Sequence, residues 1–449
     1  MANIDDVIII VVSKTSVSIS RAGFGVTMWI GQVSDTLQSE RFKLYSTATD
    51  LTDAGFPTTH PAVLWATIHK SGDIKPSTFA IGRRIPGTPE SDEVEITTPD
   101  AGSWVATING TPVTFVASGV DTNETISAGL ATAITLADLP VVAVQQASPN
   151  EEKFDITHIT GGGSYTLSIA EPGSGASTTV NTAETPAEAW ATAYAAISTA
   201  TTAKQWFYLN IEDRDDATIK LAAAQVTTDE KIGIFQSSDA DMLTGTTPNL
   251  GDDLKTLGYK RVMLFYKSDD LSLADAAMAG VAAAANLDAA NGQITWNNKA
   301  LVGVVTDDLD TSSKANLLLA GASTYIEIGG SGHTQTQSVE GEFMRTQTTI
   351  DWTSARMQED AFGALGGTPT KINLDTTGIG TFIAIVKNRL DIGVTNGHFT
   401  SDFDPVATGP NPEDIDEADK NAGILRNLVG IAKFAQAIRK VFIQVDLTV

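Results

Sequence analysis

Residues 206–235 read WFYLNIEDRDDATIKLAAAQVTTDEKIGIF, and this stretch decides the fold class. Trp206, Phe207, Tyr208, Leu209 and Ile211 make an apolar run of strand length. Residues 217–225 follow with helix formers and apolar positions three and four apart, and residues 231–235 return to strand character. The same rhythm extends on both sides. A helix is predicted over 186–198, then helices over 250–257, 273–287 and 312–320, each followed by a strand, at 261–266, 299–305 and 325–328. Strands alternating with helices argue for right-handed βαβ units and a mostly parallel sheet. The fold class is α/β multidomain, with that alternating region as its body.

Upstream, residues 7–12 are a continuous β-branched run and 16–20 alternate, predicting an extended N-terminal arm. A strand over 26–30, a helix over 61–70 and a strand over 78–82 come next. Pro86, Pro89 and Pro99 mark a boundary. Residues 88–184 read as an inserted β-rich module, with strands near 94–96, 104–108, 112–117, 141–144, 154–157 and 165–169 and a helix over 125–136. Asn109-Gly110 between two of them is a two-residue hairpin signal.

The last third changes again. Residues 341–349 look strand-like, 352–365 and 378–393 helical, and the acid-rich 402–419 a solvated loop. Ile424, Leu428, Ile431, Ala435 and Ile438 draw one apolar stripe, predicting an amphipathic helix over 424–440. Arg426, Lys433 and Lys440 lie seven apart on another face, a candidate charged interface or a solvated helix face. In residues 441–449, Val441, Ile443, Val445, Leu447 and Val449 alternate with polar or aromatic residues, as a strand requires. Such an end strand needs a partner. Pattern alone allows a sheet in the same subunit or one in a neighbour. The division expected is an arm at 1–20, body at 21–87 and 185–331, inserted module at 88–184, and an inner α+β domain at 332–449.

The chain has 449 residues, a net charge of −25 and no cysteine. The charge disfavours binding to nucleic acid or an anionic membrane. The missing cysteines exclude disulfides, thiolate metal sites and cysteine nucleophiles. Asp5 and Asp6 stand where a signal peptide carries base, and the reading expects a soluble chain made in a cytoplasm. The five histidines, His60, His69, His158, His333 and His398, lack metal-ligand spacing, and His398 reads as a turn residue. The glycine-rich residues 329–333 and 363–367 are weak phosphate signals. Asp213, Asp215, Asp216, Asp307, Asp308 and Asp310 read as solvated loop acids more readily than as a cation site. No catalytic, cofactor or metal residue is expected.

Residues 350–357, IDWTSARM, resemble the Asp-Trp helix start of phage contractile tail sheath proteins, with Asp351 near a helix N-terminus and Trp352 in the core. Residues 371–379, KINLDTTGI, resemble the family's turn before its next long helix, with Gly378 in place. Asn373-Leu374 departs from the Pro-Tyr of many sheaths. Asn396-Gly397-His398-Phe399 is similar to the turn after that helix, and Phe79-Ala80-Ile81-Gly82-Arg83 to an early strand ending in Gly-Arg. The order of these motifs along nearly the whole chain is more specific than any one of them. The resemblance implies a non-enzymatic virion subunit in stacked hexameric rings, assembled in the host cytoplasm around an inner tail tube protein and meeting a baseplate and a tail terminator. It implies that Val7, Ile8, Ile9, Ile10, Val11 and Val12, and the alternating set from Val441 to Val449, are inter-subunit arms. The rival reading is an α/β enzyme or ligand-binding protein with a site at the C-terminal ends of the strands.

Overall fold

Residues 206–235 fold as strand, helix and strand: Tyr208–Ile211, Asp216–Thr228 and Ile232–Ser237. The structure is a computed structural model that describes residues 24–137, 139–159, 165–173, 176–201, 205–367 and 371–437. The arms expected at 7–12 and 441–449 lie outside the described residues. The chain divides into two compact units, one of Met1–Gly31, Glu40–Gly82 and Ala195–Val449, the other of Gln32–Ser39 and Arg83–Tyr194.

The first unit is built on an eight-stranded sheet. Its order is Ser331–Gln335, Ala322–Ile328, Val262–Tyr266, Ile232–Ser237, Tyr208–Ile211, Thr27–Gln32, Phe79–Arg84 and Phe42–Tyr45. The run from Ala322–Ile328 to Thr27–Gln32 is parallel, and the flanking strands Ser331–Gln335 and Phe42–Tyr45 pair antiparallel. Tyr208–Ile211, Ile232–Ser237 and Val262–Tyr266 are buried at every position, because crossover helices cover both faces of a parallel sheet. The helices begin where short polar side chains can accept from the first free N–H groups: Asp215 from Thr218, Asn249 from Asp252 and Asp310 from Ser313. A buried polar residue in the sheet is satisfied twice: Asn210 accepts from Trp65 Nε1 at 3.1 Å and donates to the Ile234 carbonyl at 2.5 Å.

Helix Ala274–Ala284 packs on Pro61–His69 through Gly280, where a Cβ would lie 2.0 Å from the His69 carbonyl oxygen. His69 is itself buried among Trp65 and Phe79, with ring centroids 4.6 and 6.0 Å away. Among the described residues neither of its ring nitrogens has a hydrogen-bond partner. The ring therefore stays neutral, and burial pushes its pKa down to about 3.

The second unit holds two antiparallel sheets, Ala176–Thr182, Ser91–Ile96, Lys153–His158 and Val141–Gln145 in one, Thr111–Ala117, Gly102–Ile108 and Leu167–Ala170 in the other. Asn109 and Gly110 take φ of 51° and 80°, as their two-residue turn demands. Helix Asn123–Leu136 packs Ile126, Leu130 and Ile134 against Phe154 and Ile156 of one sheet and Trp104 of the other. It also protects a strand edge. The Thr135 hydroxyl donates to the Ala143 carbonyl at 3.0 Å and accepts from the Ala143 N–H at 3.2 Å. An uncharged edge strand, VVAVQ, is thereby closed to pairing there.

Several expectations need correction. Residues 299–305 form no strand; Gly303 takes φ of 82°, which breaks a ladder, and the segment instead sends Leu301 into the core. Residues 341–349 are not a strand, since helix Met344–Gly367 starts within them. The acid-rich 402–419 is not loop throughout: it holds strand Val406–Thr408 and a 3₁₀ turn, Pro412–Asp414. Residues 424–437 are not helical. Gly423 and Asn427 take φ of 68° and 62°, and Val429–Ile431 is a strand.

The buried neutral His69 makes the first unit acid-sensitive. Its value lies below that of the unfolded chain, 6.5, so stability is full above that pH and declines below it, by at most about 1.4 kcal/mol per pH unit. Urea unfolding of His69→Phe at pH 7 and pH 5 is expected to show a smaller loss than the parent between the two, by about 1–2 kcal/mol. Equal losses in both proteins would contradict a neutral, buried ring.

Candidate functional site: the C-terminal ribbon and the helix beneath it

Helix Met344–Gly367 starts seven residues before Asp351, so Asp351-Trp352 is not a helix start but sits in the third turn. Asp351 accepts from both terminal nitrogens of Arg261, at 2.6 and 2.7 Å, with both side chains buried. The pair ties the helix to the first residues of strand Val262–Tyr266. Trp352 is fully buried; its Nε1 donates to Asp288 at 2.9 Å, and its ring stacks on His398 at 4.1 Å with planes 17° apart. Arg356 holds the same Asp288 at 2.6 and 2.8 Å and Glu359 at 3.0 Å, while Arg389 grips Asp360. Each charge in this low-dielectric region thus has an opposite charge in hydrogen-bond contact.

Gly378 lies in the first turn of helix Thr376–Thr395, where its N–H donates to the Asp375 cap at 2.9 Å. A Cβ there would come within 1.8 Å of the Asn373 carbonyl oxygen, so only glycine fits the turn.

On helix Thr376–Thr395 rests a two-stranded antiparallel ribbon, Val406–Thr408 against Val429–Ile431. Gly430 permits the contact: a Cβ would meet Val386 at 2.9 Å and Leu390 at 3.2 Å. Val406, Val429 and Ile431 remain 44, 48 and 52% exposed. Among the described residues no further strand pairs with either outer edge of the ribbon.

The two segments meet again farther on. Thr400 N–H donates to the Lys433 carbonyl at 2.8 Å, Phe399 bridges Phe434, and Ala435 N–H donates to the His398 carbonyl at 3.1 Å. Lys433 Nζ lies 4.9 Å from the Phe403 ring centroid, and Gln436 accepts from Arg345 at 2.7 Å. Four consecutive residues, 433–436, are therefore each tethered just before the last described position.

Of the residues singled out in the sequence, Asp351, Trp352 and Gly378 belong to this construction. Lys433 joins it through the Phe403 ring, while Arg426 is half-exposed and pairs with Asp419 at 2.8 Å. Lys440 and both arms lie outside the described residues. The structure adds Arg345, Phe434 and Gln436, which no motif announced, and gives His398, known from its turn motif alone, a buried ring with distant partners. The weak signal for the ribbon was the run Leu428-Val429-Gly430-Ile431, short and β-branched, which its helical spacing concealed.

The features weighed as chemistry serve structure. Gly329 and Gly330, with φ of 63° and 83°, form the turn between two antiparallel strands, and residues 363–367 lie inside a helix. Arg214 holds Asp275, Asp215 and Asp310 cap helices, and Asp307 pairs with buried Lys267 at 3.0 Å. Among the described residues no three His, Asp or Glu side chains converge as metal ligands, and no helix is long and apolar enough to cross a membrane.

Truncating Arg261 would leave Asp351 buried without its bidentate partner. Arg261→Ala is expected to cost about 3–5 kcal/mol in chemical denaturation, whereas the double change Arg261→Met, Asp351→Leu costs much less. A single change as mild as the double one would show that the pair does not anchor the helix.

No protein-family model matches the chain, and no curated protein matches it. Among solved structures it is similar to a sheath tail protein from Listeria innocua, at 11% identity, covering 93% of this chain and 97% of that one with a TM-score of 0.46. It is similar to a chain of the baseplate of the anti-feeding prophage, solved with 6-fold symmetrisation, at 11% identity, 98% coverage of both chains and a TM-score of 0.48. It is also similar to the helical sheath of the anti-feeding prophage in its contracted state, at 10% identity, 96% and 95% coverage and a TM-score of 0.49.

Proposed function

We propose that this chain is the structural subunit of a contractile tail sheath, polymerising into a six-fold helical tube around an inner tail tube and contracting to drive that tube through a host envelope. The observation that carries the reading is the ribbon of Val406–Thr408 and Val429–Ile431. Two strands of three residues are too few to stand alone in water, and helix Thr376–Thr395 supports one face only. Open edges and exposed valines invite strands from elsewhere. The chain has strand-forming sequence at both ends, residues 7–12 and 441–449. At about 3.3 Å per residue the latter reaches roughly 30 Å, long enough to cross to an adjacent copy. The ordered motifs from Phe79 to Phe399 support the same reading.

Backbone pairing through the arms would join each subunit to its neighbours as a mesh. Other contacts could then exchange during contraction while the mesh keeps subunits connected, so that bistable interfaces, not deformable subunits, store the energy. A charge of −25 keeps free copies apart until that pairing begins. On this reading the inner tube, the baseplate and the tail terminator are the partners, and the virion tail is the location.

Removing residues 446–449, or introducing Val445→Pro, is expected to abolish tubes in negative-stain electron microscopy while leaving the monomer folded by circular dichroism. Normal tubes from either variant would refute the linking role of the C-terminal strand.

A further inference from the structure

His398 sits where the ribbon, its supporting helix and the Asp-Trp helix converge, and it is 1% exposed. Its Nε2 lies 3.0 Å from the Leu287 carbonyl, which can only accept, so the proton resides on Nε2. Nδ1 is then bare and faces the Thr349 hydroxyl at 3.2 Å and the Gln293 amide nitrogen at 3.4 Å, both able to donate to it. The neutral ring is fully used, and the stack on Trp352 closes its face. The backbone of this same residue, with Thr400, holds residues 433–435.

We infer that His398 is an acid-labile bolt: neutral, it fixes the root of the C-terminal arm at residues 433–436, and on gaining a second proton it lets that root go. The added proton would sit on Nδ1, where the Gln293 amide cannot accept it and the Thr349 hydroxyl could accept it only by giving up its own donation to the ring. The charged groups around the ring offer it no free carboxylate. From loop 285–293, Asp288 is shared between Trp352 Nε1 and Arg356. From helix Met344–Gly367 come Arg345, Arg356, Glu359 and Asp360, and from helix Thr376–Thr395 comes Arg389; Glu359 and Asp360 are bound to Arg356 and Arg389. From the root comes Lys433, directed at Phe403. Burial holds the ring below its ordinary 6.5, with the Leu287 hydrogen bond and Asp288 opposing that shift. Release therefore begins as pH falls below about 6.5 and grows by at most about tenfold per pH unit.

The bolt is a property of one chain. Its consequence, acid-sensitive strand exchange, rests on the sheath reading. Amide hydrogen exchange on the full-length monomer tests the bolt without assembly. The opening equilibria of Thr400 and Ala435 amides, corrected for intrinsic rates, are expected to rise toward tenfold per pH unit from pH 6.5 to 5, while Phe235 in the central sheet keeps its protection ahead of theirs. His398→Gln should remove that dependence, and the His398 imidazole proton resonances of the parent's closed form should titrate only below the pH at which root opening begins. Root amides indifferent to pH in the parent, an unchanged dependence in His398→Gln, or a closed-form His398 that titrates at about 6.5 or above would each overturn the inference. If the bolt fails but residues 446–449 still prove necessary for tubes, the sheath reading stands without it.

Discussion

A short strand must find partners for its outward N–H and C=O groups, and the C-terminal third of this chain is arranged around that requirement. The ribbon of Val406–Thr408 and Val429–Ile431 satisfies one edge of each strand and leaves the other edge of each unsupplied among the described residues. Two edges elsewhere are closed locally. Thr135 occupies both outward groups of Ala143 in the second unit, and residues 298 and 299 bond to Thr334 at the edge of the large sheet. On the proposed sheath reading, the ribbon's outer edges are the surface available for main-chain pairing.

Availability is useful only if the ribbon is held in place, and polar contacts do much of that work. The buried part of helix Met344–Gly367 carries Asp351, Trp352, Ser354 and Arg356 among alanines and methionines, not leucines. Each buried charge on it meets a partner from a different part of the first unit: Arg261 beside the sheet, Asp288 in the loop after helix Ala274–Ala284. Ion pairs of this kind add little net stability over an apolar core, but breaking one is costly, so they specify a single arrangement. His398 completes the set by joining the end of helix Thr376–Thr395 to residues 433–435.

The α/β alternation was legible because a fully buried parallel strand and an amphipathic helix leave different periods in the sequence. The hairpin at Asn109-Gly110 was legible because its turn demands those residues. What misled was local pattern without backbone context. Residues 299–305 carry strand-like side chains, yet Gly303 turns left-handed. Residues 424–437 carry a helical stripe, yet Asn427 takes a positive φ, and Gly430 allows a strand to lie directly on Val386 and Leu390. Asp351 resembled a cap because a carboxylate before an apolar run often is one; its partner, Arg261, is ninety positions away, and no local reading reaches that far. His398 does lie in the turn after helix Thr376–Thr395, but its ring partners come from Leu287, Gln293, Thr349 and Trp352, which no local reading reaches.

The absence of cysteine makes a direct measurement of strand exchange available. Copies carrying Thr408→Cys would be mixed with copies carrying Val445→Cys, concentrated, and treated with a short bis-maleimide. Covalent dimers containing one copy of each variant are predicted, formed only at concentrations that assemble. Linkage confined to single chains bearing both substitutions, with no heterodimer at any concentration, would contradict the account.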